Sequence, residues 1–321
     1  MPHASRYVRP ERAPPLLLQV RDRGILASVF AHRYLSAAHV HELLFPCVAL
    51  RQVQSRLRKL WAHRFLDRFF IPFILDGETL PPTTAGRPFY RLASAGAAVV
   101  ADALGIDPAT IPQTAEQNAA GFGYLEHNLV VTDLLVALMA ACRGRSDVAL
   151  VGIERETELR RRVGVFIQTA IHRERALVPD GAFNLSYGTS SPPMTFYVEI
   201  VRAGVRGGNA LIAERLRLYA EAHHRGFFRR VYGHDRLRAV LFLTTSTARA
   251  NRFRQFAAAL PHARALFWFG TYQGTANDGR VTSTLATDTI LSARWATADG
   301  ASISFIPHDA GTVGPRAGPL T

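Results

Sequence analysis

Between Arg238 and Thr245 the chain is almost uniformly apolar, and a helical pattern (Ala248 to Leu260) and a second apolar stretch (Arg264 to Phe269) follow directly. This strand, helix and returning strand constrain the fold more than any other segment, because a short run apolar at nearly every position has to be covered on both faces. The region before it supplies the cover. Leu125 to Cys142 has the spacing of a long helix with Leu129, Val130, Leu134, Leu135, Leu138 and Met139 apolar. Strands are expected at Val148 to Ile153, Ala176 to Val178 with Ala182 to Leu185, and Thr195 to Val201. Asn209 to His223 then reads as a helix with Leu211, Ile212, Leu216 and Tyr219 inward. The fold class that follows is α/β over about residues 119–307, a sheet with helices on its faces. The tail, 308–321, is rich in Gly and Pro and is expected to be disordered.

A chain of 321 residues with 48% hydrophobic content is long enough for about two domains. Its longest apolar stretch, Leu129 to Cys142, is interrupted by Asp133 and falls short of the roughly 20 residues of a membrane helix. Met1 to Pro15 has arginines and prolines but no continuous apolar core of a secretory signal, so a cytoplasmic protein without a membrane partner is expected. Cys47 and Cys142, the only cysteines, form no metal-binding spacing and are expected as buried thiols. The net charge of +13 favours a polyanionic partner, because cations placed at phosphates release condensed counterions. Lys59 is the only lysine, so arginine itself reflects a bias of the whole chain while the sign of the charge does not.

The first third is read as a winged helix-turn-helix over 18–104. Arg21 to His32 has helical apolar spacing at Ile25, Leu26, Val29 and Phe30, with Arg21, Asp22 and Arg33 on the wetter side. Ser36 is a suitable N-cap for a second helix that Pro46 ends. Leu50 to His63 makes a third, with Leu50, Val53, Leu57, Leu60 and Trp61 on one stripe. Phe65 to Leu75 and Phe89 to Leu92, around a loop with Gly77, Pro81, Pro82 and Gly86, suggest a hairpin. In that geometry the third helix enters the major groove, where arginine reaches guanine and glutamine reaches adenine. Arg51, Gln52, Gln54, Ser55 and Arg58 are the expected readers of double-stranded DNA; Arg56, Lys59, Arg64 and Arg68, with Arg87 and Arg91 in or beside the wing, are the expected phosphate contacts. Ser94 to Leu104 closes the unit, and 105–118 reads as a linker.

Taken together, the segment from Arg21 to Leu92, Leu125-Glu126-His127-Asn128 with Thr132-Asp133, Glu156 to Arg160, Pro179-Asp180-Gly181, and Phe196 to Glu199 with the helix from Leu211 to Tyr219 resemble the replication-relaxation family. That resemblance implies plasmid or mobile-element replication, DNA relaxation, and a C-terminal domain of the PD-(D/E)xK nuclease type. Replication or relaxase proteins, and a second copy of the chain, are candidate partners beside DNA, and the oligomeric state is left open.

The nuclease-like pattern is incomplete. Asp180 and Glu199, on neighbouring strands, and Glu156 or Glu126 as a third oxygen donor, are the candidate catalytic residues, with Asp180 and Glu199 as ligands for Mg²⁺. Members of the family often have Glu-Val-Asp where this chain has Glu199-Ile200-Val201. A lysine is expected two residues after the glutamate, and Val201 stands there; Arg202 points to the other face of a strand. An arginine from the following helix, Arg215 or Arg217, could offset charge but cannot act as a base. The bland readings are Asp180 as a turn residue, Glu199 paired with Arg202 or Arg215, and His127 as a hydrogen-bonding residue near a helix start. Three functional readings stay open: a non-catalytic DNA-binding protein, a divergent metal-dependent endonuclease or nickase, and a scaffold that binds another protein.

Overall fold

The structure, a computed structural model, describes residues 8–11, 13, 15–70, 74–75, 78–79, 88–111, 122–156, 158–160, 177–188, 192–201, 208–233, 236–260, 263–272 and 290–306, with side chains omitted at 74–75, 78–79, 122–126 and 208. Arg87, Arg202, the side chain of Glu126, the hairpin-loop residues Gly77, Pro81, Pro82 and Gly86, the linker beyond Ile111 and the tail from His308 lie outside this set.

The N-terminal unit runs α1 (Val20–His32), β1 (Leu35–Ser36), α2 (Ala37–Leu44), α3 (Leu50–Ala62), β2 (Leu66–Phe70), β3 (Ile74–Leu75), β4 (Glu78–Thr79), β5 (Pro88–Leu92) and α4 (Ser94–Leu104). Antiparallel β5 lies between β1 and β2, and β3 pairs with β4. Of the strand expected from Phe65 to Leu75, β2 and β3 fall among the described residues, and 71–73 lie outside them. Local chemistry sets the helix starts. The Ser36 hydroxyl accepts the His39 N–H at 3.2 Å and the His39 Nδ1 accepts the Ser36 N–H at 3.2 Å, so histidine takes the acidic place of a capping box. Ile25, Leu26, Val29, Val40, Val53, Leu57 and Leu60 fill the core beneath. Gly96 lets α4 approach the strand: a Cβ there would stand 2.0 Å from the Phe65 carbonyl oxygen.

Two surface expectations are overturned in this unit. Asp22, expected on the wet side of α1, is fully buried, because the Arg56 guanidinium reaches it from α3. Cys47 is exposed, lying in the turn after Pro46 rather than on the apolar side of a helix, while Cys142 is half-buried.

The second unit begins with α5 (Phe122–Cys142) and continues through β6 (Val148–Arg155), β7 (Gly181–Tyr187), β8 (Met194–Val201), α6 (Gly208–His224), α7 (Phe227–Tyr232), β9 (Leu237–Thr244), α8 (Thr247–Ala258), β10 (Phe267–Thr271), β11 (Trp295–Thr297) and β12 (Ser302–Ile303). They form one seven-stranded sheet in the order β12-β11-β10-β9-β8-β7-β6. β8, β9 and β10 are parallel and the outer pairings are antiparallel. The fold is α/β, as expected from the strand-helix-strand run. Leu177 and Val178, expected in a strand, are buried outside one, and β7 starts at Gly181. Leu211, expected inward, is 41% exposed, because α6 turns Ile212, Leu216 and Tyr219 to the sheet instead.

α6, α7 and α8 cover one face of the sheet. α5 covers the other, together with Ile290, Leu291, Trp295 and Phe305. The segment carrying β11 and β12 has no long periodic run to announce it. Its Trp295 packs against Gly270, where a Cβ would lie 2.7 Å from the indole.

Helix α5 also belongs to the first unit. Val130, Val131, Leu134, Leu135 and Leu138 face the sheet, Val136 enters the N-terminal core, and Leu129 packs with Tyr34 and Phe89. A helix apolar nearly all round is buried nearly all round. Its one acid between those faces, Asp133, is buried and meets the His39 Nε2 of α2 at 2.5 Å. Because Nδ1 already accepts the Ser36 N–H, Nε2 carries the proton and donates it to the carboxylate. Arg143 adds hydrogen bonds of 2.8 Å to the Glu42 and Leu43 carbonyls at the end of α2.

Candidate functional site

Two sets of residues stand out in the sequence, and they have opposite characters. The first is the outer face of α3. Val53, Leu57, Leu60 and Trp61 anchor the helix, and this 3.6-residue stripe leaves Arg51, Gln52, Gln54, Ser55, Arg58 and Lys59 exposed. No acidic residue lies in the helix, so this face is a contiguous run of cations, amides and a hydroxyl.

Arg56 does not belong to that face. Its Nε donates to the Asp22 Oδ1 at 2.6 Å, and its terminal nitrogen donates to the other carboxylate oxygen and, at 3.2 Å, to the Leu17 carbonyl. Burial pushes the Asp22 carboxyl up, but the Arg56 hydrogen bonds and the Gln19 N–H hold it below the usual carboxylate range. Arg56 is a core tie between α1 and α3. Arg68 is also differently used: its guanidinium lies 3.5 Å from the centroid of the Trp61 ring, a cation–π contact, rather than projecting to solvent. Arg91 pairs with Asp67 at 3.1 Å, and Arg9 pairs with the same carboxylate at 2.8 Å. Arg64 is exposed just beyond α3, at a positive φ of 62°.

The second set is interior. Asp180 precedes β7, and Glu199 lies in β8; both line a cavity of about 190 Å³ with His127, Val201, Arg215 and Arg249. The strand pairing brings the two carboxylates together, since the Asp180 N–H donates to the Val198 carbonyl at 3.0 Å and the Asp180 Oδ2 accepts the Ile200 N–H at 2.7 Å. The remaining Asp180 oxygen lies 3.1 Å from the His127 Nε2. Glu199 is 3% exposed. Arg215 donates to its Oε1 at 2.7 Å and to the Val178 carbonyl at 2.7 Å; its Nε stands 2.6 Å from Oε2, off hydrogen-bond geometry. The Tyr219 hydroxyl donates to Oε1 as well. Arg215 and Tyr219 are four residues apart and so share one face of α6, a spacing that could have pointed to Tyr219 from the sequence.

Burial raises the Glu199 carboxyl to about 7: Arg215 opposes this, while the nearby Asp180 adds to it. For His127, burial disfavours the charged ring, yet Asp180, and to a lesser extent Glu199 and Glu156, outweigh it and raise its pKa. Glu156 itself pairs with Arg160 one helical turn on. Among the described residues, no group of three or more His, Cys, Asp or Glu is arranged to hold a metal ion. A magnesium ion needs carboxylate oxygens open to it. Here both Glu199 oxygens face Arg215, one also accepts a hydrogen bond from the Tyr219 hydroxyl, and both Asp180 oxygens have donors. This donor set does not fit Mg²⁺ without removal of a cation, and Val201 fills the expected lysine position on the same cavity wall.

The family model described as Replication-relaxation matches residues 26–237, across both units. The chain belongs to the replication-relaxation family. Membership suggests a role in plasmid or mobile-element replication or mobilisation. The match includes α3 and, of the carboxylate cavity, His127 on α5, Asp180 before β7, and the residues on β8 and α6; it stops at the start of β9, short of Arg249 and Phe253 on α8. No curated protein and no solved structure matches the chain. Among the described residues, no helix of this family member is long and apolar enough to cross a membrane.

Proposed function

We propose that this replication-relaxation protein is a sequence-preferring, non-catalytic binder of double-stranded DNA, acting in replication, mobilisation or transcriptional control of a plasmid, phage or other mobile element. On this reading the N-terminal unit is a winged helix-turn-helix that places α3 in the major groove. The observation that carries it is the outer face of α3, where Arg51, Gln52, Gln54, Ser55, Arg58 and Lys59 are all exposed and no acid intervenes. Arginine and glutamine are the side chains that form two hydrogen bonds with guanine and adenine edges. Arg51 and Arg58 read bases, and Lys59 and Arg64 contact phosphates.

The test is a selection of bound fragments from random duplexes, followed by salt titration on the enriched site. Log affinity is expected to fall linearly with log salt, and Arg51→Ala with Arg58→Ala is expected to cost about 1–3 kcal/mol of discrimination for each base no longer read. Absent or salt-insensitive binding would defeat the proposal.

The competing reading is a metal-dependent nickase, favoured by the convergence of Asp180 and Glu199 on one cavity. On it, the C-terminal unit would be a working nuclease of the PD-(D/E)xK type rather than a relative that has lost the chemistry. The Arg215 and Tyr219 contacts to Glu199 weigh against it. With Mg²⁺ or Mn²⁺ and supercoiled plasmid, wild type and Asp180→Ala are expected to behave alike; nicking by wild type alone would reverse the choice.

A further inference from the structure

Acidic residues number 25 in the chain, yet none occurs between Arg236 and Asn277, a stretch that holds Arg236, Arg238, Arg249, Arg252, Arg254 and Arg264. The bias of arginine over lysine explains which cation is used there, not why every carboxylate is missing. Self-repulsion among like charges opposes a compact state, and a surface arranged this way gains when an anion covers it.

The centre of this stretch is α8. Ala250, Phe253 and Ala257 dock it on the sheet beside α6, and the Ser246 hydroxyl caps its start by accepting the Arg249 N–H at 3.3 Å. The helix is thereby fixed, and the same periodicity turns Asn251, Arg252 and Gln255 outward, with Arg254 half-buried beside them. That face has the chemistry of α3, arginine with side-chain amides on the outer side of a docked helix. It belongs to the other unit, however, and to a part of the chain beyond the family match.

We infer that α8 is a second DNA-contacting surface, on which Arg252 and Arg254 hold backbone phosphates while Asn251 and Gln255 donate hydrogen bonds to the same strand. The phosphate backbone is the partner that fits, since it offers a repeating negative charge to a helix that carries no acidic residue of its own. The surface adds affinity without reading sequence, and it works independently of the role given to α3.

Fluorescence anisotropy with a mixed-sequence duplex tests it, comparing wild type, Arg252→Gln with Arg254→Gln, and the α3 pair Arg51→Ala with Arg58→Ala. The α8 pair is expected to make the log–log salt dependence shallower by about two, at roughly 0.9 for each phosphate no longer neutralised. Arg252→Gln alone, at an exposed site that folding does not need, is expected to lower it by about one, and Arg252→Lys to restore it. If the α8 variants match wild type while the α3 pair loses binding, the inference is overturned and the proposed function stands. If the α8 variants lose binding and the α3 pair keeps it, the inference stands and the reading of α3 falls. Loss of polyglutamate binding with DNA binding unchanged assigns the face to an acidic protein and overturns the inference, and no binding of DNA by wild type overturns both.

Discussion

Among the described residues two buried carboxylates pair with arginines, and the two pairs end in opposite electrostatic states. Asp22 and Arg56 tie α1 to α3; Glu199 and Arg215 tie β8 to α6. In both, a helix-borne guanidinium contacts the carboxylate at hydrogen-bond distance. Asp22 nevertheless titrates below the usual range, and Glu199 is raised to about 7. Burial pushes both carboxyls up, and the other groups decide which way each ends. At Asp22 the Arg56 hydrogen bonds and the Gln19 N–H outweigh burial, whereas at Glu199 Arg215 does not, and a second carboxylate, Asp180, adds to the rise. An arginine partner alone does not fix the charge of a buried acid; its other neighbours decide.

The largest expected effect comes from removing the cation on the Glu199 side. Arg215→Met removes the guanidinium from Glu199, which then faces Asp180 with only the Tyr219 hydroxyl, and takes a donor from the Val178 carbonyl. At about pH 8, above the raised Glu199 value, a loss of about 3–5 kcal/mol is expected by urea denaturation, as for other buried pairs with one partner removed. Combining it with Glu199→Gln should recover part of the loss, because the unpaired charge is then gone. No recovery would mean that Arg215 acts mainly by packing, and the parallel between the pairs would fail.

Arg56→Ala comes next, at about 3 kcal/mol, because Asp22 keeps its Gln19 N–H while losing the guanidinium. The consequence for function separates it from the exposed arginines of α3. On the DNA-binding reading, Arg56→Ala lowers the melting temperature but leaves the salt dependence of binding unchanged at temperatures where the variant is folded. A shallower salt slope would return Arg56 to the phosphate set.

This difference also marks how far the sequence could be read. The stripe Val53, Leu57, Leu60 and Trp61 determines which side of α3 faces water, because helical period alone decides it. The same period could not show that Asp22 lies where Arg56 can reach it, a pairing between residues 34 apart whose existence depends on the crossing of two helices. In the second unit the apolar runs announced β8, β9 and β10, and hence a sheet that brings Asp180 beside Glu199. Arg215 was foreseeable as a partner for Glu199 from its place on the next helix. His39 with Asp133 was not, since each reads as an ordinary polar position in its own helix and only the double use of α5 buries both. β11 and β12 were missed because three-residue and two-residue strands are too short to show alternation, and their burial comes from Trp295 and Phe305 packing across the sheet.

The smallest effect is the most direct check of the opposite charge states. Asp22 has a lowered pKa in the fold, so it contributes stability above the ordinary carboxylate range, and that stability is lost as pH falls through the lowered value. Glu199 acts in reverse. Between its ordinary value of 4.5 and about 7 the folded chain holds a proton on Glu199 that the unfolded chain has released, so stability falls as pH rises across that window. His127, whose pKa is also raised, adds stability below 6.5 that is likewise lost as pH rises through its folded value. His32, held at about 3 by burial of its ring, and His223, also lowered, gain stability with rising pH over the same window, so the expected signature is a difference between two proteins. Thermal melts of wild type are expected to lose ground against those of Glu199→Gln, which cannot ionise, as pH rises from 5 to 7, while the acid limb governed by Asp22 stays the same in both. If the two melting curves run parallel across that window, Glu199 is ionised throughout it, and Asp22 and Glu199 share one state after all.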